Sequence, residues 1–61
     1  MELKIGDVVR LKSGGPEMTV KQYPFKTVDG REHPDIADCE WFTVEGKLIH
    51  NAFNINELEM I

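Results

Sequence analysis

Cys39, His33, His50 and Asp35 are the side chains with which this chain could ligate a metal, so a zinc site is the first chemistry to weigh. The spacing argues against it. His33 lies six residues before Cys39 and His50 eleven after it, with no Cys-x-x-Cys or His-x-x-x-His pair to fix two ligands on one element. Two surface histidines and a small buried cysteine are the plainer reading, and neither a metal nor a cofactor is expected. Cys39 also stands between Asp38 and Glu40, whose negative charge disfavours the thiolate that a nucleophile needs. Ser13-Gly14-Gly15-Pro16 has the composition of a phosphate-binding loop, yet no lysine–hydroxyl pair follows it and no helix begins there. Gly14, Gly15 and Pro16 are therefore read as a structural turn. The 11 carboxylates offer pairs for acid–base work, but so small a domain leaves little room for the roughly 300 Å³ or more that a small-molecule pocket usually takes. The expectation is that the protein is not an enzyme.

The elements that must position these groups are short strands. Val8-Val9-Arg10-Leu11-Lys12 is a β-branched run that stops at the glycines. Met18 to Tyr23 alternates apolar and polar with the period of two of a half-buried strand, so the two runs should pair antiparallel. Pro24 breaks the second strand, and Phe25 to Val28 resumes extension before Asp29-Gly30. Residues 29–38 are polar and read as an exposed loop tacked down by Ile36. Cys39 to Val44 reads as the central strand, with Glu45-Gly46 as a two-residue hairpin turn into Lys47 to Phe53. Asn54 or Asn56 can cap a short helical turn over Glu57-Leu58-Glu59. No repeat and no low-complexity segment is apparent.

Four to five short antiparallel strands and a short C-terminal helical turn predict an all-β domain over residues 1–61, a curled sheet of the small SH3-like barrel kind. Val9, Leu11, Met18 and Val20 should point inward. Of the adjacent Trp41 and Phe42, strict alternation buries only one, and Trp41 is the expected core residue. A chain of 61 residues buries only about 60% of its unfolded surface, so marginal stability or self-association is the default. The start, Met1-Glu2-Leu3-Lys4, lacks the basic and apolar regions of a signal peptide. One cysteine cannot close an intrachain disulfide, which fits a reducing, cytoplasmic setting.

The block Gly6-Asp7-Val8-Val9-Arg10-Leu11-Lys12-Ser13-Gly14-Gly15-Pro16-Glu17-Met18-Thr19-Val20, followed by Cys39-Glu40-Trp41-Phe42, resembles the YodC-like family of small uncharacterised bacterial proteins. The match is strong over residues 5–20 and moderate over 39–53. It hardly touches 21–38, a stretch longer and more acidic here than in the family pattern. The resemblance implies a compact β-rich domain of bacterial or phage origin. It implies no activity and transfers no catalytic residue.

Seven basic and 11 acidic residues give a net charge of −4, the wrong sign for a domain that lives on phosphate contacts. The charge is divided: residues 1–26 carry +2 and residues 27–61 carry −6. On the predicted strands Arg10, Lys12, Lys21 and Tyr23 face outward together, a basic patch with one aromatic that suits either an acidic protein or single-stranded nucleic acid. A solvated sheet face is the plain alternative. The acidic second half repels nucleic acid and favours a non-enzymatic interaction module with a protein partner. A weak nucleic-acid binder using the first two strands is the alternative, and a phage-type inhibitor that mimics nucleic acid a third.

Overall fold

The computed structural model describes residues 3–61; Met1 and Glu2, half of the start inspected for a signal peptide, lie outside the described residues. Seven strands follow in order: β1 Val8–Leu11, β2 Met18–Gln22, β3 Phe25–Lys26, β4 Glu32–His33, β5 Ile36–Phe42, β6 Leu48–Asn54 and β7 Leu58–Met60, with a single 3-10 turn at Ile55–Glu57. Five form an antiparallel sheet in the order β6-β5-β2-β1-β7, and β3 and β4 form a separate two-stranded hairpin. The last strand returns beside the first, so the sheet curls toward a small barrel and leaves β6 and β7 as its edges. The fold is all-β, as the turn-punctuated runs predict.

The alternation in β1 and β2 decides what they bury. Val9, Met18 and Val20 are fully enclosed and Leu11 packs half-buried against them. β5 adds Ala37 and Cys39, β7 adds Leu58, and Leu3 closes the cluster. Trp41 packs on this core with its ring 6.0 Å from that of Phe53, whereas Phe42 is 68% exposed on the opposite face.

Three expectations are corrected. Residues 29–38 are not one loop, because Glu32–His33 pairs with β3 and Ile36–Asp38 is the first half of β5. Polar composition hid this, since Asp38 belongs to the strand and is buried. The helical turn sits earlier, at Ile55–Glu57, where the Asn54 side chain accepts the Asn56 N–H, and Leu58 and Glu59 are extended. The β5–β6 connection is one residue longer than a two-residue turn: Thr43 N–H donates to the Lys47 carbonyl at 2.8 Å and Gly46 N–H to the Thr43 carbonyl at 2.9 Å. Thr27 and Arg31 close the β3–β4 turn in the same way around Gly30. The two segments read Thr27-Val28-Asp29-Gly30-Arg31 and Thr43-Val44-Glu45-Gly46-Lys47, so one turn sequence is used twice. Its glycine takes positive φ in both (84° and 86°), the bulged three-residue hairpin in which glycine is favoured.

Gly14 and Gly15 adopt φ of 107° and 108° with no neighbour near a would-be Cβ, so a side chain there meets only backbone strain. Gly14→Val should cost about 1–2 kcal/mol and lower the thermal midpoint by about 5–15 °C in a domain this small. An unchanged melt removes the structural role of the turn. Trp41→Ala should cost about 3 kcal/mol, the low end for core aromatics because Trp41 is half-buried, and Phe42→Ala under about 1 kcal/mol. Denaturant titration of the two variants checks the order, and its reversal would place Phe42 in the core.

Candidate functional site

The structure does not bring the four predicted binding residues into one patch. Arg10, on β1, lies beside β7, and its guanidinium is 2.9 Å from the Glu59 carboxylate opposite it in the register. Lys12 follows β1; its N–H is held by the Glu57 carbonyl at 2.8 Å. Its side chain lines a groove of about 440 Å³ with Ile55, Asn56 and Glu59. Lys21 is at the other end of the β1–β2 pair, since the preceding Val20 exchanges hydrogen bonds with Gly6 and Asp7. It is also the extra residue of a bulge, because Val20 pairs with Cys39 and Gln22 with Asp38. Tyr23 is turned in: it packs on the core, and its hydroxyl donates to the Pro34 carbonyl at 2.7 Å. A cation tied to a carboxylate, a bulged lysine and an anchored tyrosine do not make a stacking platform.

The metal candidates are likewise dispersed. Cys39 is enclosed in the core, His33 lies on the β3–β4 hairpin, and His50 on the outer face of β6. Among the described residues no three His, Cys, Asp or Glu side chains gather to hold a metal ion. What the fold does assemble is a His50–Asp38 contact, Nδ1 to Oδ1 at 3.2 Å. Asp38 is only 7% exposed, and a cavity of about 220 Å³ between β6 and Phe25 adjoins the pair. Sequence reasoning missed it, because the two residues are 12 apart and meet only through the hairpin register. The cavity is lined by Phe25, Asp38, His50, Asn51 and Ala52.

The other unaccounted feature is apolar. Phe42 and Leu48 face each other across β5 and β6 at 68% and 53% exposure. Val44, at the tip of the same hairpin, is fully exposed. Phe42 and Leu48 lie on the face away from the core, where neither contributes to burial, and cross-strand pairing brings these two together.

Two ionisable groups are displaced from their ordinary values. The Thr27 hydroxyl and then the Arg31 N–H, both donating to the Asp29 carboxylate, hold that exposed group below the usual carboxylate range. Burial, and after it the Asp38 charge, push the Cys39 thiol up from 9.0 to about 11. The folded value stands above the unfolded one, so the stability contributed by the neutral thiol is complete below about pH 9 and lost as pH rises through about 11. The melting difference between the wild type and Cys39→Ala should therefore narrow between those limits. At neutral pH a thiol reagent should modify Cys39 only as fast as the domain unfolds, and rapid labelling of the native protein would contradict its burial.

No helix among the described residues is long and apolar enough to cross a membrane. No curated protein and no solved structure matches the chain. The model of a family of uncharacterized small proteins does match it, over residues 4–58, and the chain therefore belongs to that family, DUF2158.

Proposed function

We propose that the protein is a non-enzymatic interaction module of the cytoplasm whose partner is another protein, docked on the end of the β5–β6 hairpin. The observation that carries this reading is the Phe42–Leu48 cross-strand pair, exposed on the outer face of a sheet whose core is already complete without it, with Val44 exposed at the turn of the same hairpin. An exposed aromatic flanked by aliphatic side chains is the kind of anchor that protein interfaces bury. The dispersal of Arg10, Lys12, Lys21 and Tyr23 weighs against the nucleic-acid alternative, as does the net charge of −4. An SH3-like barrel, read from the return of β7 beside β1 after a 3-10 turn, suits such a module. The finer placement among YodC-like proteins rests on the Gly6–Val20 block.

Two measurements test this. Affinity capture from cells of the native host, identified by mass spectrometry, should recover a protein with the wild type and lose it with Phe42→Ser/Leu48→Ser, a change of exposed residues that leaves the fold intact. Labelled oligonucleotides should bind no tighter than about 100 µM at physiological salt. Micromolar binding that Arg10→Glu/Lys12→Glu abolishes would replace the protein-partner reading with the nucleic-acid one.

A further inference from the structure

We infer that the free edge of β6 pairs antiparallel with β6 of a second copy of this chain, joining two sheets across a twofold axis at Asn51. The inference differs from the hairpin docking proposed above: it uses the backbone N–H and C=O groups of the β6 edge, whereas the docking uses the Phe42, Val44 and Leu48 side chains, and Leu48 enters the pairing through its backbone alone.

The two edges of the sheet differ. β7 is three residues long and has Glu59 tied to Arg10, a short and charged edge of the kind that resists pairing. β6 runs for seven residues, Leu48-Ile49-His50-Asn51-Ala52-Phe53-Asn54, with no Lys, Arg, Asp, Glu, Pro or Gly, in a chain that is 30% charged. Two molecules of net charge −4 meet with least repulsion along such a strand.

The backbone decides which groups face outward. Thr43 donates to Lys47 at one end of the β5–β6 ladder and Ile55 to Asp35 at the other, 2.8 and 2.9 Å. Hydrogen-bonded and non-hydrogen-bonded pairs alternate in an antiparallel ladder. Ile49, Asn51 and Phe53 are thus bonded to β5, and Leu48, His50, Ala52 and Asn54 present N–H and C=O to the free edge. The Ala52 N–H agrees, since it is taken up at 2.9 Å by its own neighbour's Asn51 Oδ1 rather than by β5.

One twofold register pairs all seven residues and matches donors to acceptors, the one in which Leu48 faces the other copy's Asn54 and His50 its Ala52. Ile49, 40% exposed and next to Trp41, then faces the second Phe53 and extends the half-covered aromatic side of the core. Asn51 faces itself. The Ala52 N–H exchanges its local carboxamide for an interchain carbonyl, so pairing leaves no donor unmet. The strand spans roughly 24 Å at the antiparallel rise. The contact is narrower than the roughly 800 Å² per partner of a standard interface, which sets the association in the weak range.

Sedimentation equilibrium up to about 1 mM covers that range and should show the mass rising from 7.0 kDa toward twice that value. Asn51→Asp and Asn51→Lys each place like charges on facing residues whose Cα atoms lie about 4.5 Å apart at the axis and should stay monomeric, whereas their equimolar mixture should dimerise. Circular dichroism confirms that each is folded. As a second route, Asn51→Cys should form an intermolecular disulfide under mild oxidation, its Cα separation lying within disulfide range, while Val44→Cys at the hairpin tip should not. A wild type that remains at 7.0 kDa at every concentration overturns the inference. So do charge variants that still dimerise alone, a mixture that does not, or equal cross-linking at both positions. None of these results bears on the Phe42 and Leu48 capture experiment, so the two readings fail separately.

Discussion

Ala37 and Cys39, two small side chains without exposure in the middle of β5, are the point on which the sheet closes. β5 is paired on both sides, to β2 and to β6, and its inward residues leave just the space that Val9, Val20, Met18 and Leu58 fill. A larger residue at either position would push the strands apart, and interiors of this density do not absorb such a change freely. The neutral thiol follows from the same enclosure. Cys39, without exposure, serves as a compact hydrophobe, and burial together with the neighbouring Asp38 charge disfavours its thiolate.

The polar surface is organised by strand return rather than by composition. β7 brings Glu59 against Arg10, the β3–β4 hairpin sets Lys26 opposite Glu32 at 3.5 Å, and β6 sets His50 on Asp38. The Arg10–Glu59 and Lys26–Glu32 pairs, exposed on both sides, add little stability, about 0–1 kcal/mol each. Arg10 and Lys26, two of the cations in the first half of the sequence, are in this way paired with carboxylates of the second half. The β5–β6 face around Phe42 and Leu48 is apolar and exposed, and the proposed docking there would gain most from removing water.

Turn length governs the remaining geometry. A two-residue turn at Glu45-Gly46 would shift the β5–β6 register by one residue and turn Leu48, His50 and Ala52 to the core face in place of Ile49, Asn51 and Phe53. The additional loop residue, with Gly46 at positive φ, puts Trp41 against Ile49 and Asp38 against Ala52. The His50–Asp38 contact and the Phe42–Leu48 pair both descend from that single residue. The recurrence of Thr-Val-acid-Gly-base at Thr27 and Thr43 was the readable sign of it.

Local signals in the chain were enough for the all-β class, the inward residues Val9, Met18 and Val20, the break at Pro24 and the burial of Cys39. Each is local: alternation, a missing N–H, or a small apolar side chain within a β-branched run speaks for itself within a few residues. Long-range pairing set the rest: polar Ile36–Asp38 is strand, Lys21 sits in a bulge, Tyr23 turns in to Pro34, and Arg10 is paired with Glu59. Those outcomes depend on partners 11 to 49 residues away in the chain or on ladder register. Composition and periodicity carry no record of such partners, because the same side chain is a binding cation or half of an ion pair according to which strand returns beside it.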